Sequence, residues 1–396
     1  MAIKTKMNKE QRFTDRLNEL SQTDSLRELK TVSHDREYVI HRGRKMVNLS
    51  SNDYLGVGTT GKLWEEFLQT NPFELGGTFP GSACSSRLQT GNHSAYDELE
   101  KSFARMFHYE ACMIICTGFN ANLGIIPALA TANDLIVADK LVHASLIDGF
   151  RLSSAKLIRF PHNDLERLQF ILEKERDQYE NLIIVSESIF SMDGDASDMK
   201  RLVAIKNQFN AFLYIDEAHS FGVKGENGLG CIEENGLLGE VDLLLGTFGK
   251  SMASQGAYLL CSQTIKDYLV NTMRPMIYTT GLPPWSVKWT QFVLEHLAEM
   301  KAERQHLAKI SDLLRSNLIK LGYETAGESH IVPIILRDLK MTIALSEYLC
   351  DKGFFVLPIR HPTVPKGTER LRISLNAAIS EQQVLKLIDL CAQFGK

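Results

Sequence analysis

No apolar run in the sequence approaches the ~20 residues needed to cross a bilayer, so no membrane span is expected. Positive charge is not in excess: 44 Lys and Arg against 48 Asp and Glu give a net charge of -4. A nucleic-acid partner needs a basic face, which this balance does not supply. The opening Met-Ala-Ile-Lys-Thr-Lys-Met-Asn-Lys lacks the apolar centre of a secretory leader. Cysteine is scarce. The seven are scattered and odd in number, which argues against a disulfide framework. Cys112 and Cys116 lie four apart and form no C-x-x-C pair, and most of the seven sit in apolar stretches as small core residues. No metal site is expected, and a reducing cytoplasm is the simplest location. Internal repeats and low-complexity tracts are missing as well.

What is present reads as an α/β protein. The 396 residues exceed one small core and imply two packed domains. Phe13, Leu17 and Leu20 repeat at helical spacing and predict a helix over 8–30. Val47 to Ser50 reads as a short strand leading into a polar turn. The Gly-, Ser- and Thr-rich run 76–92 reads as a loop whose length points to function. A helix follows over Tyr96–Phe107. From 111 to 262, apolar runs alternate with amphipathic ones. Strands are predicted at Cys112–Cys116, Leu135–Ala138, Lys156–Phe160, Leu182–Ser186, Phe212–Ile215, Leu243–Gly246 and Ala257–Cys261. Helices are predicted at Ala121–Leu129, Asp164–Glu175 and Met199–Phe209. Such alternation implies a large domain with a mainly parallel sheet covered by helices on both faces. Pro283 and Pro284 precede a long helical stretch, 286–319. The remainder reads β-α-β-β-α, a smaller α+β C-terminal domain, over Ile331–Leu336, Thr342–Lys352, Phe354–Leu357, Arg370–Leu375 and Glu381–Phe394. The expected division is an N-terminal helix and segment (1–60), a large domain (61–283) and a small one (284–396).

Two residues carry the chemistry. Lys250 follows the apolar strand through Leu245 and the turn Gly246-Thr247-Phe248-Gly249, with another apolar run at Ala257–Cys261. A lysine held between buried strands is desolvated, which lowers its pKa and makes it a Schiff-base nucleophile. Asp216 ends the strand beginning near Ala211, where an open α/β sheet binds ligands. An aspartate there can pair with a pyridinium nitrogen, so the two together imply a pyridoxal phosphate enzyme. His219 lies one turn on and could bond a ring oxygen. Thr117-Gly118-Phe119-Asn120 opens a helix whose free N–H groups suit a phosphate, although a plain N-cap looks the same. His143 could stack on an aromatic ring, and Arg372 could fork onto a carboxylate. Other motifs read as bland. Gly56-Val57-Gly58-Thr59-Thr60-Gly61 matches a dinucleotide fingerprint but lacks its context, so its glycines are turn glycines. Gly249-Lys250-Ser251 ends like a P-loop, but Leu244 stands where its first glycine belongs.

The segments Asn48 to Gly56 (NLSSNDYLG), Thr117 to Asn122 (TGFNAN), His143 to Leu146 (HASL), Ser191 to Asp195 (SMDGD), Asp216 to His219 (DEAH), Thr247 to Lys250 (TFGK) and Arg360 to Pro365 (RHPTVP) occur in order. Through them nearly the whole chain resembles the α-oxoamine synthases, fold-type-I PLP-dependent acyltransferases. The resemblance implies that an amino acid and an acyl thioester condense with loss of CO2. It implies a covalent cofactor link at Lys250, pairing of Asp216 with the ring nitrogen, and His143 stacked on the ring. His219 and Ser191 would contact the ring hydroxyl side. Gly118, Phe119 and Thr247 would hold the phosphate, with Thr279 or Thr280 from a neighbouring subunit of a homodimer. Asn52 and Arg372 would hold the amino acid's carboxylate. Arg27 would contact the acyl substrate, and Thr363 would belong to the same substrate site. The cues SMDGD and Pro362 to Arg372 lie nearest the branch that uses L-alanine and a pimeloyl thioester, on CoA or a carrier protein. Glycine with acetyl-CoA is the alternative, then a serine palmitoyltransferase-like reaction. Ile379 and the glycine-poor loop Gly81 to Arg87 depart from the family pattern near the acyl pocket.

Overall fold

The computed structural model describes residues 9–23, 25–70 and 81–395. Three short strands come first: β1 (Ser33–Asp35), β2 (Tyr38–His41) and β3 (Arg44–Asn48). The alternating middle of the chain supplies β4 (Ala111–Ile115), β5 (Leu135–Asp139), β6 (Lys156–Phe160), β7 (Leu182–Glu187), β8 (Phe212–Asp216), β9 (Leu243–Thr247) and β10 (Ala257–Cys261). The C-terminal part adds β11 (Ile331–Ile335), β12 (Phe354–Phe355), β13 (Pro358–Ile359) and β14 (Arg370–Ser374).

The middle strands form one sheet in the order β4-β10-β9-β8-β7-β5-β6. Only β10 runs against its neighbours; the other pairs are parallel. Near-continuous Val, Ile and Leu in β5 and β7 are the signature of strands buried on both faces. One face (Ile114, Val137, Ile184, Leu244) packs on Leu99, Phe103, Leu202 and Val287 from covering helices. The other (Met113, Ile136, Val185, Leu245) packs on Ile125, Leu146 and Leu269. Parallel register brings the C-terminal ends of β5, β7, β8 and β9 to one edge. These ends carry Asp139, Glu187, Asp216 and Thr247.

A third core joins Val47, Leu49 and Tyr54 to the helix Lys301–Lys320 and to Val332, Leu371 and Ile373. This contact carries the segment around Asn52 and Tyr54 to the sheet edge. β14 pairs with β11 and β13.

Several expectations need correction. The first helix spans Gln11–Gln22, not 8–30. Its apolar repeat stops at Leu20, and the Thr23 hydroxyl bonds the Glu19 carbonyl at 2.9 Å to close it. Residue 8 and residue 24 lie outside the described residues, as do 76–80 of the expected loop. Within that loop, Arg87–Gly91 form a π-helical turn. The stretch 286–319 is two helices, Pro284–His296 and Lys301–Lys320. The Arg304 guanidinium takes the carbonyls of Leu297 (2.7 Å) and Ala298 (3.2 Å) that a continuous helix would use. Of the expected strand Phe354–Leu357 only Phe354–Phe355 forms, and the next strand begins beyond it at Pro358. β12 pairs in parallel with β3, and β13 pairs with β14. Between them Val356 and Leu357 bond the hydroxyls of Ser346 and Ser50 instead of a ladder. The strands β1 and β2 and the helices Ala144–Leu152 and Gln263–Thr272 had no sequence expectation. Gly56 and Gly61 take φ of +72° and +69°, which suits turn glycines. All seven cysteines are free thiols. Among the described residues no helix is long and apolar enough to cross a membrane.

Candidate active site

Asp216 closes β8 and is buried. Its Oδ1 accepts the Ala218 N–H at 2.9 Å, and its Oδ2 accepts from Asn122 Nδ2 at 3.1 Å. Asn122 is itself fixed: Nδ2 also donates to Ser145 Oγ at 3.0 Å, and Oδ1 accepts the Tyr214 hydroxyl. The carboxylate is therefore aimed before any ligand arrives. Beside it in register stands Glu187, the last residue of β7. Burial, then the charge of Asp216, pushes the Glu187 carboxyl well above its ordinary value. Its Oε1 accepts the His143 N–H.

Lys250 follows β9 across a short turn. Burial lowers its amine to about 8, against the attraction of Asp216 and Glu187; Arg372 lowers it further. Its Nζ lies 2.8 Å from His219 Nε2. The other nitrogen of His219 lies 2.7 Å from the Tyr54 hydroxyl. Burial, then the nearby cations led by Lys250, holds His219 well below the usual histidine range, so the ring is neutral. Tyr54 donates to Asn52 Oδ1 at 3.1 Å and accepts from Arg372 Nη2 at 3.3 Å. The remaining contact assigns the proton to His219 Nδ1 and leaves Nε2 to accept from Lys250. A hydrogen-bonded chain thus runs Arg372–Tyr54–His219–Lys250.

Gly118, Phe119, His143, Asp216, His219, Thr247 and Lys250 line one small cavity of about 170 Å³. One end of it is the N-terminus of the helix Gly118–Leu129, capped by the Thr117 side chain on the Asn120 N–H. First-turn N–H groups have no acceptor within their own helix. His143 caps the helix Ala144–Leu152, and burial lowers its pKa.

A larger cavity of about 670 Å³ meets the small one at His143, His219 and Lys250. Arg27, Asn52, Ser191, Thr363 and Arg372 line it, with Leu141, Val142, Phe190, Met192 and Val364 as apolar walls. Arg27 Nη2 donates to Thr363 Oγ1 at 2.8 Å. Arg372 donates from Nε to the Ser191 carbonyl at 2.5 Å and from Nη1 to Asn52 Oδ1 at 3.2 Å. Ser191 thus faces the larger cavity, and its carbonyl orients Arg372.

The expected residues therefore fall into two adjoining groups, except Thr279 and Thr280, which line neither cavity. Thr280 bridges to Ser86, and its carbonyl accepts from Cys116 Sγ at 3.1 Å. Sequence reasoning had missed Tyr54, Asn122, Ser145 and Glu187. Glu187 had a signal, since it too is an acid ending a central strand. Asn122 and Tyr54 sit inside quoted motifs, but only packing shows what they touch.

The family described as aminotransferase class I and II matches residues 44–390. Over 94% of this chain, a Neisseria gonorrhoeae protein is 46% identical, with 97% of its own length covered. A Haemophilus influenzae protein is 45% identical with the same coverage. Both are provisionally named 8-amino-7-oxononanoate synthases. Among solved structures, a serine palmitoyltransferase of S. paucimobilis with bound PLP superposes with a TM-score of 0.88 at 26% identity. It covers 97% of this chain and 96% of its own. An 8-amino-7-oxononanoate synthase of Francisella tularensis gives 0.73 at 28% identity, over 88% and 97%. The chain belongs to the aminotransferase class I and II family, with the fold-type-I architecture of these transferases. It is a PLP-dependent acyltransferase similar to the 8-amino-7-oxononanoate synthases.

The small cavity fits pyridoxal 5'-phosphate on its own chemistry. It offers a pre-aimed carboxylate, an amine that loses its proton near neutral pH, and a helix N-terminus that favours a phosphate.

Proposed function

We propose that the protein condenses L-alanine with a pimeloyl thioester, on CoA or a carrier protein. The products are 8-amino-7-oxononanoate, CO2 and the free thiol, a step of biotin biosynthesis. The observation that carries this reading is the meeting of two cavities at Lys250. One suits the cofactor; the other, at about 670 Å³ and with apolar walls, has room for an acyl chain. The names of the 46% and 45% identical relatives support the choice of substrates.

In this reading Lys250 holds the cofactor at rest, Asp216 pairs with its ring nitrogen and His143 covers the ring. His219 and the Ser191 loop border its hydroxyl side. Gly118, Phe119 and Thr247 hold its phosphate. Bound there, the cofactor supplies an electron-withdrawing ring that stabilises negative charge at the substrate α-carbon. Arg372 and Asn52 grip the amino acid's carboxylate. The freed Lys250 amine takes the α-proton, since a base with a pKa of about 8 works near neutral pH. The α-carbon bonds to the thioester carbonyl carbon, the C–S bond breaks, and the thiolate leaves and is protonated. The carboxylate then departs as CO2 and a proton returns to the α-carbon. Arg27 and Thr363 face the acyl partner. Thr279 and Thr280, which line neither of these two cavities, would complete the phosphate site of a second copy in a homodimer.

The test is thiol release by PLP-loaded protein with two pairs, L-alanine plus pimeloyl-CoA and glycine plus acetyl-CoA. Turnover of the first pair with the nine-carbon amino ketone in the mass spectrum is expected. Turnover of the second alone would reassign the substrates and leave the PLP roles standing.

Tyr54→Phe tests the hydrogen-bonded chain. It removes one partner each from His219, Arg372 and Asn52, a loss of about 1–2 kcal/mol. A fall of roughly ten-fold in kcat is expected, with cofactor content unchanged. An unchanged kcat would take Tyr54 out of the chain.

A further inference from the structure

His162, which no role above uses, sits between two carboxylates. Its Nδ1 lies 3.0 Å from Asp139 Oδ1 and its Nε2 2.6 Å from Asp195 Oδ2. Asp139 ends β5, is fully buried, and also accepts the N–H groups of Leu141 (2.7 Å) and Asn163 (2.8 Å). Asp195 Oδ2 also accepts from Asn163 Nδ2 at 2.9 Å. A neutral imidazole has one N–H and one lone pair, so it would turn a lone pair toward one of the two carboxylates. Only the imidazolium donates to both.

The two carboxylates lie, one each, beside two segments that wall the larger cavity. Leu141, Val142 and His143 follow Asp139 after Lys140, whereas Phe190, Ser191, Met192 and Asp193 lead to Asp195. The second wall is a tight loop: the Phe190 N–H donates to the Asp195 carbonyl at 2.9 Å, and the Gly194 N–H to the Phe190 carbonyl at 3.0 Å. The His162 ring also packs edge-on against Phe190, centroids 4.4 Å apart. This loop carries the Ser191 carbonyl that orients Arg372.

We propose that His162, as an imidazolium bridging Asp139 and Asp195, is a positioning residue that fastens the two walls of the acyl cavity and so sets affinity for the thioester. The functional half of this inference rests on the acyl-cavity reading above. Burial alone would depress the ring's proton affinity. The hydrogen bonds to Asp139 and then Asp195 override it and raise the pKa to about 10. The cation therefore persists across the working pH range.

The experiment compares wild type, His162→Gln and Asp195→Asn as PLP-loaded proteins. Expected for His162→Gln are a rise of about ten-fold in KM for the thioester, with kcat and the amino acid KM within about three-fold. The cofactor absorbance should stay the same, and amide hydrogen exchange should quicken at 140–143 and 189–196. The pH dependence has a fixed sign. A group whose folded pKa is raised contributes stability below its unfolded value, here 6.5, and loses it as pH rises through about 10. The Tm gap between wild type and His162→Gln should be full below pH 6.5 and close toward pH 10. Unchanged thioester KM, or equal loosening toward both substrates, would overturn the positioning role. Asp195→Asn keeps the Asp139 contact and carries the same KM test if His162→Gln does not fold. Wild type that turns over no thioester would sink the acyl reading alone. Exchange at the two walls would then decide whether His162 fastens them.

Discussion

Lys250→Ala is expected to lower turnover by at least ~10³-fold and to remove the absorbance of the covalently held cofactor. Lys250 lies where burial lowers an amine to about 8, and where Asp216 and Glu187 pull the other way. A site that withholds solvation from an ammonium favours the neutral, nucleophilic form. No other lysine lines either cavity, so among the described residues nothing replaces the amine. His219, 2.8 Å away, is pushed well below its ordinary range and is a poor base. Folding should survive, because the change deletes a desolvated group and breaks no core packing. Equal Tm with lost colour and lost thiol release is the expected set. Turnover within ten-fold of wild type would remove Lys250 from its role.

Lys250 and Asp216 were legible because each stands at the end of an apolar strand, where chemistry is written as a break in hydrophobic pattern. The seven sheet strands were legible for the same reason: β10, Ala-Tyr-Leu-Leu-Cys, carries no charged residue that could shift its bounds. What stayed hidden depends on long-range contact. Nothing local shows that Phe354 and Phe355 leave the C-terminal strands for β3, since that choice is made by Ser346 and Ser50 taking the next backbone groups. Nothing local shows that Arg304 splits the helical stretch by reaching back to Leu297. The chain Arg372–Tyr54–His219–Lys250 joins four distant stretches of sequence. Tyr54 is 165 residues from His219, so its partner cannot be read from spacing. Arg372 was legible only as a candidate, and that Ser191, Asn52 and Tyr54 hold its side chain is visible only in the fold. Family resemblance filled part of this gap, but it could not say why these residues meet. The sheet edge does: four parallel strands end together, and β14 brings Arg372 to the same place.

Asp216→Asn is expected to keep the cofactor bound and still lose on the order of 10³-fold in kcat. Shape is nearly unchanged, so the variant isolates the charge. The amide oxygen can keep the Ala218 N–H, and the amide nitrogen then faces Asn122, which must turn its own amide to accept. That rearrangement costs less than an unpaired buried group would, because Ser145 and Tyr214 carry hydroxyls that can donate or accept. What cannot be replaced is the negative charge that, in the proposed function, would keep the ring nitrogen protonated. Two neighbours report on the same charge. Asp216 raises the amine of Lys250 and the carboxyl of Glu187. Without it both should titrate lower, so the Lys250-dependent limb of the pH–rate profile should move to lower pH than in the wild type. Activity, cofactor content and this shift together separate electrostatics from misfolding. A variant that loses the cofactor outright would make Asp216 a binding residue first. One with full cofactor, an unmoved profile and near-normal kcat would end the assignment, since every role given to Asp216 depends on its charge.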